Sequence, residues 1–477
     1  MPSTFRSSLG KVVQQWLGLE WTSIEPVARE EQVQRSWWSV SLLWFSCNFN
    51  LLTFATGMLA PQMGLGLEAS MYTILGFTLP CSLPPAYFCT FGPKLGMRQL
   101  IQARYSFGYA GTCLVALLAA AVLIGYCTLN SILGGEALQA VSSDRSMSPV
   151  VGIVIVAVVS TAVSFCGIKV LQFVEMWLWF PVLICFCILA GLAGSGSDGL
   201  HVEANTPPAT PQAVLGMGCV IAGFQLTWSG VASDVSLYLK PRTNPYMLFA
   251  CTFAGFSLST APIMMLGAAF AASAQSIPAW KQAISENSSP GPLFDTVLSG
   301  HVGGFGKFLT VILALSAMGN IMTSVYSFGI ACQTLFPPLT ALPRFLVSLL
   351  ALAIFLPTAI VGRNKFYDTL SNFVTVIGYW ASLYIGVLLA DHVVIRRMNF
   401  DSYNRKIWNC VRELPYGFAA LGSAILALGL LIPLIDQAWF SGPLAKRSGD
   451  LGFEVGLALS FVLYCVLRPL ELRILGH

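Results

Sequence analysis

Long apolar runs separated by short polar segments make up most of the chain. A helix needs about 20 largely apolar residues to cross the hydrocarbon core of a bilayer. We therefore predict twelve membrane-spanning helices, at about 37–59, 71–91, 109–133, 149–167, 174–193, 213–235, 246–272, 305–336, 343–361, 372–394, 416–435 and 451–467. This pattern predicts an all-α integral membrane protein.

The composition supports the same fold class. Charged residues make up 10% of the 477 residues and apolar residues 56%, whereas about a quarter of the residues in soluble domains are charged. The net charge of +4 is dispersed along the chain, with no basic run that would favour nucleic-acid binding. The thirteen cysteines form no CxxC pair and the four histidines no HExxH motif, so we expect no enzyme, metal site or cofactor.

The basic residues favour one orientation in the membrane. With a cytosolic N-terminus, eighteen of the 25 Lys and Arg residues fall in inside segments and seven in outside segments, as the positive-inside rule requires. The N-terminal segment has no apolar core of a cleavable signal peptide, so both termini are predicted to be cytosolic. The sequon at Asn287 falls in an outside loop, which predicts glycosylation there.

Two of the predicted helices have irregular sequences. The first carries Asn48, Asn50 and Thr53 before Gly57, and the sixth carries Gln, Thr, Trp and Ser between Gly223 and Gly230. They are five helices apart, which is where inverted-repeat transporters place their broken helices. Ordinary transmembrane helices that contain glycine are the alternative.

Polar side chains recur on single helical faces. Ser316, Asn320, Thr323 and Ser327 follow each other at steps of four, three and four, Tyr126 and Asn130 are four apart, and the first helix repeats the spacing at Ser46, Asn50, Thr53 and Gly57. With the Trp228 ring, such faces suit a flat, uncharged heterocycle. The alternative is that these residues only hold helices together.

The carboxylates fall near predicted span ends: Glu68, Glu136, Glu175, Asp234, Asp391 and Glu454. Ionisable groups deep in a membrane usually mark ion pathways. We therefore expect no buried anionic relay and no charged selectivity ring of a channel.

Several short motifs, in order along the chain, resemble the fungal purine–cytosine permeases of the nucleobase–cation symporter-1 family. They are IEPV from Ile24, NLLTFATG from Asn50, GPK from Gly92, RYSFG from Arg104, WSGVASDVSLYLKP from Trp228, GKFL from Gly306 and IGYW from Ile377. The resemblance implies a LeuT-like core of two inverted five-helix repeats with two further helices. It also implies proton-coupled symport of purines and cytosine across the plasma membrane.

The resemblance also assigns site residues. Family substrate positions match Trp228 and Asn130, and the aromatic partner on the third helix, usually Trp, is Tyr126 here. The family pattern A-N-N-I-P-N in the eighth helix becomes Gly319-Asn320-Ile321-Met322-Thr323-Ser324. Asn320 is kept, but two amides are lost, so a related heterocycle with fewer polar edges is an alternative substrate. Thr53 is expected nearby, and Thr323 and Ser324 line either the substrate site or a remnant ion site.

These expectations divide the chain as follows: 1–36 a cytosolic tail, 37–400 a ten-helix transport core with repeats at about 37–195 and 213–395, 401–415 a cytosolic loop, 416–470 two peripheral helices and 471–477 a cytosolic C-terminus. The predicted function is alternating-access transport with H⁺ as the coupling ion. Transport of a specialised-metabolite precursor, or a nucleobase sensor of the same fold that does not transport, are the alternatives. A channel and a membrane enzyme are disfavoured.

Overall fold

The computed structural model describes residues 24–34, 36–142, 146–165, 168–195, 199–200, 208–287, 290–342 and 344–476. Within them the chain is almost entirely helical. The α-helices, in chain order, are α1 (Trp37–Asn48), α2 (Leu51–Gly57), α3 (Leu59–Gln62), α4 (Leu67–Cys89), α5 (Phe91–Leu95), α6 (Gln99–Val141), α7 (Pro149–Ser164), α8 (Ile168–Gly194), α9 (Pro211–Leu226), α10 (Pro245–Ala274), α11 (Pro278–Asn287), α12 (Gly291–Val302), α13 (Gly304–Leu335), α14 (Arg344–Gly362), α15 (Phe366–Leu389), α16 (Phe418–Leu431), α17 (Ala445–Ser448) and α18 (Gly452–Leu475).

Shorter elements join these helices. The 3₁₀ segments are Thr227–Gly230, Ala232–Val235, Pro337–Ala341, Arg363–Lys365, Phe400–Ser402, Arg405–Ile407 and Ile432–Leu434, and Ala390–Ile395 forms a π-helical turn after α15. Strands β1 (Asp436–Gln437) and β2 (Phe440–Ser441) form a two-residue antiparallel ladder between α16 and α18. The chain is therefore a helical membrane protein, as predicted.

Among the described residues, eight helical segments are long and apolar enough to cross a membrane, or nine if α1 to α3 count as one bent span. One of them, Phe345–Ile395, contains both α14 and α15. Thr358 of α14 hydrogen-bonds Thr128 of α6, whereas the Tyr384 ring of α15 stacks on Phe107, far back along α6. The two helices therefore run in opposite directions. With the shorter apolar helices α7 and α16, this pattern is compatible with twelve spans, but that count stays a prediction.

Both helices predicted to be irregular are broken. The axis turns by 59° between α1 and the α2–α3 segment. Asn50, which directly precedes α2, has an extended conformation. Its Oδ1 accepts a hydrogen bond from the backbone N–H of Thr53 at 3.1 Å, as an N-cap residue does. Farther along, α9 ends at Leu226 and continues as 3₁₀ turns through Val235. Backbone groups that a continuous helix would pair internally are thereby left for other partners.

Glycines set the close packing of α2 on α10. A Cβ added to Gly267 would lie 2.0 Å from the Phe54 carbonyl oxygen, and one on Gly57 would lie 1.9 Å from that of Met264. Only small residues let two membrane helices approach this closely. The first and seventh predicted spans are thus fixed against each other.

The end of the bundle that the charge distribution places in the cytosol, the inner end, is closed by polar contacts. The Asp234 carboxylate accepts the backbone N–H of Gln99, the first residue of α6, at 2.7 Å. Gln102 donates to the Ser233 hydroxyl at 2.9 Å, and that hydroxyl donates to the Gln99 side chain. The segment after the second broken helix is therefore tied to the start of α6.

Two earlier predictions fall partly outside the described residues. The cytosolic tail at 1–36 is described only from residue 24 onward, without residue 35. Asn287 is the last residue of α11, and the other two residues of its sequon, Ser288 and Ser289, lie outside the described part. The domain boundaries and the glycosylation site stay predictions.

Candidate functional site

Two stacked aromatic rings lie where α6 meets the second broken helix. The rings of Tyr126 and Trp228 are 5.3 Å apart between centroids and within 5° of parallel. The Tyr126 hydroxyl contacts the Thr227 hydroxyl at 2.8 Å and donates to the carbonyl of Phe224 at 3.1 Å. This hydroxyl therefore binds backbone at the point where α9 ends and the 3₁₀ turns begin.

The pair is closed in this conformation. A flat ligand between the rings would need about 7 Å between their planes, twice the contact distance of roughly 3.5 Å between carbon atoms. At 5.3 Å between centroids the two rings contact each other instead. The edge of Trp44 packs against Trp228 at 5.4 Å, and the edge of Phe373 packs against Tyr126 at 5.8 Å. The rings must separate before a ligand can lie between them.

Beside the rings, two amides connect α6 to α13. Asn130 Nδ2 donates to Asn320 Oδ1 at 3.1 Å and to the Tyr126 carbonyl at 2.9 Å. Asn320 Nδ2 in turn donates to the Cys47 carbonyl of α1 at 3.3 Å, and the Ser324 hydroxyl donates to Asn320 Oδ1 at 3.3 Å. The third and eighth predicted spans thus meet through their polar faces, and the first broken helix joins them.

The Cys47 carbonyl is a shared acceptor at the first helix break. Asn50 Nδ2 also donates to it, at 2.6 Å. Thr53 is drawn to the break itself, because its hydroxyl donates to the Asn48 carbonyl. Thr53 therefore lies near the amides, but its hydrogen bonds go to Asn48 and Asn50 and not to Asn130 or Asn320. Its structural place is at the break.

Several buried polar atoms around the rings have no hydrogen-bond partner. They include the Trp228 indole Nε1, Asn130 Oδ1, the Thr323 hydroxyl, Asn48 Oδ1 and the Ser229 hydroxyl. An unpaired buried polar group costs about 1–3 kcal/mol. A ligand that supplies both donors and acceptors would recover part of that cost. The structure thus brings six of the seven predicted site residues into one connected region, with Thr53 at its margin.

A buried carboxylate beside this region was missed in the sequence. Glu175 was expected at a span end because the predicted span began at 174, but α8 begins at Ile168 and Glu175 is 0% exposed. Its carboxylate lies against Gly319, where an added Cβ would be 2.6 Å from Oε1. The expectation that Glu175 lies near a span end was therefore wrong. The prediction started the helix too late because the first turns of α8 contain polar residues, and apolarity alone does not identify such turns as part of the span.

Asp234 and Asp391, also expected at span ends, are buried and bound. Asp391 pairs with Arg396 at 2.6 Å and accepts the Tyr464 hydroxyl at 3.0 Å. Both acids therefore join helices. Among the described residues, no three His, Cys, Asp or Glu side chains are grouped to hold a metal ion.

The outer end of the bundle, opposite the closed inner end, contains cavities. Two cavities of about 700 and 810 Å³ lie there, and both are lined by Lys365 and Asp368. The larger one also reaches Asn372. Phe373, the next residue, packs edge-on against Tyr126. Phe373 thus joins a cavity-lining stretch of α15 to the stacked pair.

The sequence matches one protein-family model over residues 26–456, described as permeases for cytosine/purines, uracil, thiamine and allantoin. The chain is 30% identical over 466 residues to the purine-cytosine permease FCY21 of Saccharomyces cerevisiae, covering 97% of this chain and 88% of that protein. It is 31% identical over 465 residues to the purine-cytosine permease fcyB of Emericella nidulans, covering 97% and 90%. It is also 29% identical over 521 residues to the vitamin B6 transporter TPN1 of Saccharomyces cerevisiae, covering 97% and 89%.

The fold matches a solved transporter structure. Mhp1, a nucleobase-cation-symport-1 family transporter in a closed conformation with bromovinylhydantoin bound, superposes with a TM-score of 0.73. The alignment covers 94% of this chain and 95% of Mhp1, at 15% sequence identity. At this identity the match concerns the fold, which is that of the predicted transporter class.

Proposed function

The chain belongs to the family of permeases for cytosine/purines, uracil, thiamine and allantoin, and on that premise we propose that it carries purine bases, cytosine or a related nitrogen heterocycle by alternating access. The observation that carries the proposal is the Tyr126–Trp228 pair with unpaired Trp228 Nε1 and Asn130 Oδ1 beside it. Two parallel rings, a free donor and a free acceptor match a flat ligand with a polar edge.

Binding would begin from the outer cavities. The ligand displaces the Phe373 edge, enters between the separated rings and presents its polar edge to Asn130 and Asn320. Thr323, whose hydroxyl is unpaired, and Ser324 lie on the same helix as Asn320. Each partner gained in this buried site contributes about 0.5–1.5 kcal/mol. A nucleobase edge with alternating donors and acceptors can use several of them.

Transport then requires the inner end to open. The contacts of Asp234 with Gln99 and of Ser233 with Gln102 hold that end closed here. Rocking of the two broken helices with their neighbours against α6 and α13 would break them while the outer cavities close. We propose H⁺ as the coupling ion, which acts only through unequal affinity for the two conformations.

Vitamin B6 or a similar substituted pyridine is a second candidate substrate. The observation that favours it is α13, where Ile321, Thr323 and Ser324 stand in place of two amides and a proline of the family pattern. Hydroxyls in that position suit a ring bearing hydroxyl groups. The yeast relative named as a vitamin B6 transporter supports its inclusion.

We further propose a plasma-membrane location, which the family resemblance implies, with both termini in the cytosol, which the charge asymmetry of the loops favours. The ten-helix core at 37–400, the peripheral helices at 416–470 and glycosylation at Asn287 belong to the same proposal. Two results would support it: an epitope tag on the protein's C-terminus that protease added to intact cells does not remove, and a molecular mass that a glycosidase lowers only when Asn287 is present.

The substrate is tested by uptake in cells that lack their own nucleobase and vitamin B6 permeases. Labelled cytosine, adenine, hypoxanthine, uracil and pyridoxine are supplied with and without a protonophore. Saturable uptake of one or more, abolished by the protonophore, supports symport. Binding without flux would instead indicate a sensor, and neither binding nor uptake of any of the five refutes the proposed substrates.

The site is tested with variants at equal surface abundance. Trp228→Ala and Asn130→Ala should each reduce uptake by about 5- to 160-fold, because each loses about 1–3 kcal/mol of buried contact. The matched control is Trp439→Ala, since Trp439 is 66% exposed between the two short strands. Near-normal uptake by both site variants would refute the pocket.

A further inference from the structure

Glu175 is a buried carboxylate with no hydrogen-bond partner. It is 0% exposed, and both its Oε1 and its Oε2 are unpaired. It lies on α8, about seven residues or ~10 Å from the start of the helix at 1.5 Å per residue. Under the predicted orientation that start faces the cytosol. The carboxylate therefore lies within the membrane, closer to its inner side.

The groups that face Glu175 come from two helices. From α13, Gly319 makes room for the carboxylate, since a side chain there would collide with Oε1. From α1, the Ser46 hydroxyl faces it and is itself unpaired, and the Cys47 thiol is the titratable group that interacts with it electrostatically. Among the described residues, no Lys, Arg or His forms an ion pair with it. The described side chains thus supply no ion-pair partner for this carboxylate.

An ionised carboxylate in such a place is strongly disfavoured. An isolated charge transferred from water to an apolar interior is so costly that the group takes up a proton instead. The neutral acid needs only one donor and one acceptor, and Ser46 can serve as either. In the conformation described here, closed at the inner end, the stable form of Glu175 is the protonated one.

Glu175 also touches the parts that must move in transport. Gly319 is followed directly by Asn320, and Cys47 supplies the carbonyl that accepts hydrogen bonds from both Asn320 and Asn50. A change of charge at Glu175 therefore acts on the first helix break and on the amide of the ligand site.

We propose that Glu175 carries the coupling proton. The proton binds to the carboxylate while the site is open to the outside and stays on it through closure. When α1 moves away from α13 and water enters from the inner side, the O–H bond breaks and the proton passes to cytosolic water. The empty carrier then returns with this carboxylate ionised, and the carboxylate takes up the next proton only after the site has opened to the outside again. One proton moves with each substrate, and the inference rests on the proposed transport function.

The test compares Glu175→Gln with Glu175→Asp, with Glu454→Gln as the matched control. Glutamine keeps the size and the neutral state but cannot release a proton, whereas aspartate keeps a titratable group. Glu454 is a half-buried carboxylate on α18, one of the two peripheral helices, and it too has an unpaired oxygen. Full-length protein in lipid vesicles is measured for two reactions of labelled cytosine: accumulation driven by a pH difference, and exchange against unlabelled cytosine without one.

A pH difference of about 2 units can drive up to ~100-fold accumulation at one proton per substrate, because each unit is a tenfold ratio of proton activity. We expect wild type, Glu175→Asp and Glu454→Gln to accumulate cytosine. Glu175→Gln should stay near a ratio of one, while its exchange rate remains within about threefold of wild type and no longer varies with pH.

The possible outcomes separate the two proposals. Gradient-driven accumulation by Glu175→Gln equal to wild type overturns the role of Glu175 and leaves proton symport intact. Loss of both accumulation and exchange in Glu175→Gln and in Glu175→Asp, with protein present in the vesicles, shows a packing role and also overturns it. Wild-type uptake that ignores the pH difference refutes proton coupling itself, and with it this inference.

Discussion

Tyr126→Phe tests whether the stacked ring pair is a closed gate held by the Tyr126 hydroxyl. The substitution keeps the ring that stacks on Trp228 and removes the contacts of its hydroxyl with Thr227 and with the Phe224 carbonyl. Thr227 keeps a bond of its own, because its hydroxyl donates to the Gly223 carbonyl at 2.9 Å. The net loss is therefore close to that of one buried neutral hydrogen bond, about 0.5–1.5 kcal/mol.

The lost hydrogen bond destabilises the closed ring pair and not the open one, because the hydroxyl must leave these partners when the rings separate. The population able to accept a ligand then rises by roughly 2- to 13-fold, and the apparent affinity rises with it. We expect the KM for uptake to fall by that factor. The assay is the initial rate of labelled substrate uptake against concentration, normalised to protein at the surface.

The matched control is Tyr384→Phe. Tyr384 is also stacked on a tryptophan, Trp380, at 5.5 Å and within 9° of parallel, but its buried hydroxyl faces Gln99 at the inner end and forms no hydrogen bond. Removing that hydroxyl should leave KM unchanged. A KM that rises in Tyr126→Phe, with the control unaffected, would mean that the hydroxyl binds the substrate, and the gate explanation would be refuted.

Two further predictions concern packing and the inner end. Gly223→Ala should leave little folded protein at the cell surface, because its Cβ would lie 1.6 Å from the Val374 carbonyl oxygen and overpacking against backbone costs at least ~1–3 kcal/mol. The control Gly216→Ala, on the same helix and with no atom nearer than 3.9 Å, should reach the surface normally. Equal surface signals for the two variants would contradict this prediction. Asp234→Asn should weaken the cap on the N-terminus of α6 by about 0.3–1 kcal/mol. Hydrogen exchange of the Gln99 backbone amide should therefore become faster by up to about fivefold. An unchanged exchange rate would show that the negative charge contributes nothing to the cap.

Much of the fold could be predicted because lipid imposes a simple rule of length and apolarity. The eighth span was predicted at 305–336, and α13 runs Gly304–Leu335. The two breaks were also visible, since glycine, asparagine and hydroxyl residues inside an apolar run leave the backbone other partners. The cap that Asn50 places on α2 is the physical cause of the first break.

The site could be predicted only in part. Helical spacing placed Tyr126 beside Asn130 on one face, and the structure adds that Asn130 reaches Asn320 across 190 positions of sequence. Periodicity along one helix carries no information about which faces meet. It likewise could not reveal that Tyr126 and Trp228 contact each other directly, because ring separation depends on the conformation of the carrier.

Glu175 shows why burial of charge is the hardest feature to read from a membrane sequence. A carboxylate at the edge of an apolar run is equally consistent with a solvated helix end and with a buried acid, and only packing from other helices decides. Asp234 and Asp391 are buried with partners, Gln99 and Arg396, and breaking a buried ion pair such as the one between Asp391 and Arg396 costs several kcal/mol. Those two acids therefore hold elements together. Glu175 has no such contact to lose, so its charge can change without breaking an ion pair that holds helices together. A proton carrier requires this property.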